Sequence, residues 1–268
     1  MAQAARTVDG KVGASVLVVE TGERAGVRAA DRFPMQSVYK FPIAMAVLHL
    51  VDAGKLKLDD PVTVARAELV PAALHSPIRD AHPQGDFPMP LRDILRYAVA
   101  ESDGTASDVL VRLAGGCGSV AAYLRDLGIA NVTIATTELE MSSGDMVQYR
   151  NWATPDGMTG LLAAFQKGAG LSAESRALLL QWMTESTPGP KRLKGLLPAG
   201  TVVAHKTGTS GTQDGLTRAT NDVGLITMPD GRHLAVTVFV ADSRAPLEAR
   251  EGVIARVARM AWDQWSRK

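Results

Sequence analysis

The chain has a single cysteine, Cys117. It therefore forms no internal disulfide and has no cysteine cluster to hold zinc or an iron–sulfur centre. Charge of either sign is not in excess: 29 Lys and Arg stand against 28 Asp and Glu, a formal net charge of +1. That balance carries no electrostatic footprint for nucleic acid or for an acidic membrane surface. The histidines (His49, His75, His82, His205, His233) are scattered, with no pair at ligand spacing, so neither a metal nor a cofactor is expected. No apolar run reaches the length of a membrane span. Internal repeats and low-complexity tracts are missing too. Met1-Ala-Gln-Ala-Ala lacks the apolar core of a signal peptide, which leaves a cytoplasmic protein or one whose export signal was removed and replaced by Met1.

What remains is an ordinary soluble globular composition, 46% hydrophobic and 21% charged over 268 residues. That length suffices for one large domain or two interleaved ones. The stretch that organises the rest is Phe33–Gly54, FPMQSVYKFPIAMAVLHLVDAG. From Val38 to Val51 it is almost wholly apolar, with Gly54 placed to stop it, and it reads as a buried helix. Ser37 and Lys40 sit at its start, three apart and so on one face. A lysine in an apolar wall is pushed towards its neutral form, and beside a serine hydroxyl it is a base next to a nucleophile. The same two residues also fit a capping serine and a lysine that snorkels to solvent.

In chain order, Ala14–Glu20 and Gly26–Ala29 read as a hairpin. Leu91–Ala100, Thr105–Ala114, Ser119–Leu127, Met158–Lys167 and Ser172–Thr184 read as helices. Thr201–Lys206, Asp222–Met228 and His233–Ala241 read as strands, the last two joined by Pro229-Asp-Gly. A final amphipathic helix covers Pro246–Trp265. Val70–Pro90 and Thr136–Pro155 show no periodicity, and loops of that length inside a domain are usually functional or disordered. Strands at both ends with helices between predict an α/β plus all-α architecture. An antiparallel sheet is built from both termini and flanked by helices (1–42 and 188–268), with an inserted helical domain (43–187). Trp152, Trp182, Trp262 and Trp265 read as packing residues.

Three short motifs follow in order: Ser37-Val-Tyr-Lys40, the only S-x-x-K of the chain, then Ser102-Asp103-Gly104 between two helices, then Lys206-Thr207-Gly208 at a strand end. Singly each is weak. As an ordered set the chain resembles the class A serine β-lactamases over nearly its full length. The resemblance is to their PER-type extended-spectrum branch in particular, through Gly189–Gly211 (GPKRLKGLLPAGTVVAHKTGTSG) and the ATND…PDG hairpin. Where that family reads E-P-E-L-N, this chain reads Glu138-Leu139-Glu140-Met141-Ser142, followed by Pro155 at a matching distance.

The resemblance implies a β-lactamase/transpeptidase-like fold and a serine hydrolase acting on penicillins and cephalosporins, bulky oxyimino ones included if the loop is wide. By the same token Ser37 is the nucleophile, with Lys40 or a Glu138-bound water as its base. Ser102 relays the proton to the departing nitrogen and Asp103 holds the loop. Lys206 and Thr207 attract the substrate carboxylate, and Gly208 allows close approach. The backbone N–H groups of Ser37 and Thr209 form the oxyanion hole, and Glu138 activates the deacylating water. His75 aligns with an aromatic at the pocket mouth, or is an ordinary loop histidine. Arg218 supplies positive charge for the carboxylate, or is a solvated arginine.

Departures from the family pattern carry their own expectations. Gly104 replaces an asparagine, removing an amide that would hold the substrate side chain. Ser142 stands where an asparagine helps fix the hydrolytic water. Thr136 and Asn151 occupy the places of an arginine and an aspartate that pin the loop. Leu139 replaces a proline, so a trans Glu138–Leu139 peptide is expected. A penicillin-binding sensor or D,D-peptidase-like domain, acylated at Ser37 without turnover, is the alternative, and Glu138 argues against it. Another S-x-x-K hydrolase, an esterase or glutaminase, is disfavoured by KTG. The resemblance further implies a periplasmic or secreted enzyme with small-molecule β-lactam substrates; nothing in the sequence points to a partner protein, and a monomer is the default expectation.

Overall fold

Strand signals from the two ends of the chain meet in one sheet. The computed structural model describes residue 3 and residues 6–266. β1 (Lys11–Val18), β2 (Arg24–Val27) and β3 (Phe33–Pro34) lead into a 3-10 turn at Gln36–Tyr39 and helix α1 (Lys40–Asp52). The middle of the chain holds β4 (Pro61–Val64), α2 (Pro77–Ala81), β5 (Phe87–Pro90), α3 (Leu91–Ala100), α4 (Gly104–Leu113) and α5 (Cys117–Asp126). It continues through β6 (Val132–Thr133), α6 (Glu138–Met141), β7 (Trp152–Ala153), α7 (Pro155–Gln166) and α8 (Ala173–Thr184). β8 (Val203–Thr209), β9 (Thr212–Gln213), β10 (Leu216–Thr227), β11 (His233–Ser243) and α9 (Leu247–Trp265) close it.

The main sheet runs β2-β1-β11-β10-β8, antiparallel throughout, with β9 paired to β10. The period-2 alternation of β11 sorts its side chains cleanly. Leu234, Val236, Val238 and Val240 join a core beneath α9, while Ala235, Phe239 and Ala241 join the core shared with the helices. Both faces are covered, which is why these strands are apolar at nearly every position. α1 is buried from Lys40 to Leu48 and packs against α3, α4, α5 and α8, with Phe41 edge-on to Phe165 of α7. Its uniform apolarity is that of a helix surrounded on every side.

Three expectations change. β8 does not end at Lys206 but runs on to Thr209, so Lys206, Thr207 and Gly208 lie inside a ladder, opposite Val223, Asp222 and Asn221 of β10. β10 starts at Leu216 and not at Asp222; its buried Thr217, Thr220 and Asn221 broke the apolar pattern that marks a strand. The two aperiodic stretches are also not bare loops. Val70–Pro90 contains α2 and β5, and Thr136–Pro155 contains α6, a 3-10 turn at Asp145–Arg150 and β7. These pieces are too short to show a period.

Candidate active site

Ser37 lies within the 3-10 turn ahead of α1, and neither that turn nor α1 has a side-chain cap. The capping reading therefore falls. Lys40 is 1% exposed, which ends the snorkelling reading as well. Its ammonium donates to Ser37 Oγ at 3.0 Å and to the Ser102 carbonyl at 2.7 Å, and lies 2.9 Å from Glu138 Oε1. Those contacts match the three donors of an ammonium. The Glu138 carboxylate is itself buried, and Oε1 has no partner besides Lys40.

From the sheet side comes Lys206, fully buried, donating to Ser102 Oγ at 2.9 Å and to the Thr207 carbonyl at 3.0 Å. Burial, and then the charge of Lys40, hold its ammonium well below the usual lysine range. Ser102 itself is in the left-handed backbone region at φ 61°, and Gln36, immediately before Ser37, is there at φ 47°. Non-glycine residues in that region typically cost about 1–3 kcal/mol each, and persist where the surroundings over-determine them. Asp103 explains how Ser102 is held. Its buried carboxylate caps α4 through Ala106 N and also accepts from Ile78 N and Ser76 Oγ, tying the motif to α2.

Gly208 has a steric reason to be glycine. A Cβ there would stand 2.3 Å from the Met35 carbonyl oxygen and 3.1 Å from Val38 N, so the bare backbone lets β8 press against the turn that carries Ser37. Gly104 has another. A Cβ there would meet the His75 carbonyl at 3.2 Å and Val70 at 3.3 Å, and its N–H donates to that same carbonyl. Any side chain at 104 would need the His75 segment to give by a few tenths of an ångström.

The loop that brings Glu138 has a distinct set of supports. Thr137 and Glu140 form a reciprocal capping box around α6. Asp108 of α4 accepts Glu138 N at 2.7 Å and Leu139 N at 2.9 Å on its two oxygens. A proline at 139 has no N–H to give. Among the described residues no peptide is cis, so Glu138–Leu139 is trans as expected. Asn151 closes the loop: its Oδ1 accepts from Ala135 N and Thr136 N, and its Nδ2 donates to the Thr136 carbonyl. The pair at 136 and 151 thus pins the loop by amide and backbone, without charge. Burial, and to a lesser degree the Glu138 charge, push the Asp108 carboxyl up to about 7 against the pull of the two N–H groups.

These elements enclose a cavity of about 290 Å³ lined by Gln36, Ser37, Lys40, Leu74, His75, Ser102, Glu138, Pro188, Thr207 and Thr209. His75 is exposed at its rim, with Nε2 donating to the Glu101 carbonyl. A larger hollow of about 730 Å³ lies between the end of α1 and α8; the hydroxyls that line it, Ser172 and Ser175, both donate to Asp52, and no lysine or histidine stands beside them in the lining.

Ser142 and Arg218 are not among the cavity walls. The Ser142 hydroxyl is exposed and donates to the Leu139 carbonyl of its own turn. Arg218 is held by Asp145 at 2.8 Å and Asp242 at 3.4 Å. An arginine bonded to the cavity wall is one that sequence reasoning missed. Arg192 is 5% exposed and donates to Thr209 Oγ1 at 2.8 Å and to the Asn221 carbonyl at 2.9 Å, with Glu251 as its counter-ion. Its turn is fixed from behind by Asp222, which accepts Leu193 N and pairs with the buried His205 ring. Gln36, Asp108 and Gln148 were missed as well.

The Beta-lactamase enzyme family model matches residues 1–265. Extended-spectrum beta-lactamase PER-1 of Pseudomonas aeruginosa is 45% identical over 251 residues, 94% of this chain and 81% of that protein. Beta-lactamase VEB-1 of the same organism is 41% identical over 238 residues, 88% of this chain and 79% of that protein. Among solved structures, a beta-lactamase from Chitinophaga pinensis superposes with a TM-score of 0.95 at 46% identity, covering 98% of this chain and 97% of that one. TLA-1 extended spectrum beta-lactamase does so with a TM-score of 0.96 at 42% identity, covering 99% and 96%.

Proposed function

The chain belongs to the class A serine β-lactamases, and from that membership we propose how its own residues open the lactam amide of penicillins and cephalosporins and release the product. Ser37 Oγ attacks the lactam carbonyl carbon. Its proton passes through a water to Glu138, or to Lys40 once the Lys40 ammonium has given a proton across their 2.9 Å contact to Glu138 Oε1; by either route the carboxylate ends protonated. The backbone N–H groups of Ser37 and Thr209 receive the developing oxyanion, a contribution of roughly 10²–10³ in rate per donor. Ser102 Oγ hands its proton to the departing nitrogen and is resupplied by Lys206, whose depressed proton affinity suits a donor. Lys206, Thr207 and Arg192 bind the substrate carboxylate, Arg192 by way of Thr209 Oγ1. Once Glu138 has passed its proton on by way of Lys40, restoring the Lys206 ammonium, it is a carboxylate again and deprotonates the water that attacks the ester, a general-base step worth about 10²–10⁴, and Ser37 Oγ leaves with that proton.

One observation carries this reading: Lys40 Nζ is simultaneously 3.0 Å from Ser37 Oγ and 2.9 Å from Glu138 Oε1. A buried carboxylate at that distance from the nucleophile's base serves an enzyme that must deacylate, and a sensor that stays acylated has no use for it. His75 and Gly104 border the substrate side chain, Gly104 through the His75 backbone. Ser142, bonded to its own turn, acts on the hydrolytic water only through the shape of α6. Residues 1–42 with 188–268 form the α/β unit, and 43–187 the helical one. Among the described residues no helix is long and apolar enough to cross a membrane. The enzyme works as a monomer in the periplasm or outside the cell, where β-lactams meet their targets.

The test is turnover of a chromogenic cephalosporin, repeated with Glu138→Gln while the intact protein is weighed. Many turnovers are expected from the unsubstituted protein. The variant should lose roughly 10²–10⁴ in turnover and accumulate an adduct on Ser37. A single stoichiometric burst from the unsubstituted protein would instead identify a covalent trap.

A further inference from the structure

The loop that carries Glu138 is held at both ends, and the far end is held by charge. In the turn Asp145–Arg150 the Gln148 amide donates to the Asp145 carbonyl at 2.6 Å and to Asp145 Oδ1 at 2.9 Å. Its own oxygen accepts from Gln36 Nε2 at 2.7 Å. Gln36 is a cavity wall and directly precedes Ser37. On the other side Asp145 Oδ2 accepts from Arg218 Nε at 2.8 Å, and Arg218 Nη1 reaches Asp242 Oδ1 at 3.4 Å. The Tyr149 hydroxyl donates to that same Asp242 oxygen. Burial and that bond push the phenol up to about 12, so it remains a donor. A continuous path therefore runs from the cavity wall at Gln36 through Gln148 and Asp145 to Arg218 on β10 and Asp242 on β11.

We propose that Arg218 is a positioning residue that latches the Asp145–Arg150 turn onto the ends of β10 and β11, and so sets how widely the cavity opens to the substrate's side chain. The guanidinium stands between two carboxylates from different parts of the fold. Without it Asp145 and Asp242 face each other uncompensated, and their repulsion lifts the turn from the sheet. Exposed ion pairs taken singly contribute little, but this one is a bridge in a partly buried network shared with Tyr149 and Gln148. The supports at the Glu138 end, Asp108 and Asn151, do not depend on Arg218. Loosening the latch therefore moves Gln148, and through it the wall at Gln36, while Glu138 stays with Lys40. This assignment rests on the β-lactamase reading for its kinetic meaning, not for its mechanical one.

The full-length protein is compared with Arg218→Met, Arg218→Lys and Asp145→Asn. kcat/KM is measured for a penicillin with a small side chain and for a bulky oxyimino cephalosporin, and amide hydrogen exchange is followed across residues 140–151. Arg218→Met should raise the bulky-to-small ratio about fivefold, mainly through KM, as expected for loss of a coupled charge network. It should also speed exchange in the Asp145–Arg150 turn. Asp145→Asn should shift both readouts the same way, and Arg218→Lys should restore most of each. Equal loss on both substrates through KM, with Asp145→Asn silent, would mean that Arg218 binds the substrate carboxylate directly and would overturn the latch. Unchanged exchange in Arg218→Met would overturn it even if the unsubstituted protein hydrolysed neither compound, an outcome that separately removes the β-lactamase reading.

Discussion

Ser37 is approached from two sides that are built differently. On one side stands β8, whose Lys206, Thr207 and Gly208 are fixed by main-chain pairing with β10 and pressed against the nucleophile's turn. On the other hangs the Thr136–Asn151 loop, whose Glu138 is placed by side chains that catch backbone N–H groups: Asp108, Asn151, and the Thr137–Glu140 box. A ladder is cooperative and has one register; a hung loop has separable anchors, each removable by one substitution. The division follows the chemistry. On the function proposed above, the sheet side carries the oxyanion donor and the carboxylate-binding lysine, which both half-reactions need, whereas the loop side carries the base that only hydrolysis cannot do without. Substitutions on the sheet side should therefore damage acylation and deacylation together, and those on the loop side should separate them.

The largest effect is expected where the comparison is sharpest. Gly208→Ala puts a methyl 2.3 Å from the Met35 carbonyl, so either β8 or the Ser37 turn must move. A displacement of that kind should cost about 10² or more in both the acylation and deacylation rate constants. Rapid-quench kinetics with a chromogenic cephalosporin resolves the two steps. A variant that acylates normally but fails to turn over would break the comparison, because the sheet side would then be serving one half-reaction only.

Asn151→Ala comes next. It strips two N–H groups and one carbonyl, at Ala135 and Thr136, of their partner in a largely buried setting, at a cost of about 1–3 kcal/mol per orphaned group. Deacylation should slow about tenfold while acylation stays within a factor of about two, because the carboxylate is displaced but Ser37 and Lys40 are not. The signature is a pre-steady-state burst with acyl-enzyme visible by mass. Parallel losses in both steps would show that the loop is part of the same rigid unit as the sheet.

The two sides also differ in how openly the sequence declares them. The turn that carries Ser37 and the sheet side were legible as motifs, S-x-x-K and K-T-G. Even so, the extent of β8 and β10 was not, because Thr217, Thr220, Asn221 and Asp222 are polar residues buried inside the strand, and hydrophobic periodicity cannot register them. On the loop side Thr137-x-x-Glu140 is a capping box in plain sight, and it locates α6 without any family pattern. Asp108, Gln36 and Gln148 gave no such signal. Each acts across a gap of 30 residues or more, and nothing local distinguishes an aspartate inside α4 that receives two N–H groups from one that faces solvent. Arg192 was hidden for the same reason, and Arg218 was noticed for its charge when its partners, Asp145 and Asp242, lie elsewhere in the chain.

The smallest effect concerns the proton on Asp108, and here the sign matters. The carboxyl is pushed up to about 7, from 3.8, chiefly by burial. Between those values the folded protein binds a proton that the unfolded chain does not, so this group's contribution to stability falls as the pH rises from about 4 to about 7. Above 7 the carboxylate is charged in both states and its two oxygens are free to accept Glu138 N and Leu139 N together. Asp108→Asn cannot titrate. Its amide keeps one acceptor but turns an NH₂ towards the other N–H, a fixed penalty of about 1–3 kcal/mol. The variant should therefore be less stable than the parent at pH 4–5 and close part of that gap by pH 7–8, as read from urea midpoints across the range. Deacylation in the parent should strengthen over the same interval, as the second N–H anchor forms, and in Asp108→Asn that component should be flat. A gap that widens with pH would mean that Asp108 is charged in the folded state throughout. The loop would then be hung on a permanent anion, and its mechanical contrast with the sheet would no longer depend on pH.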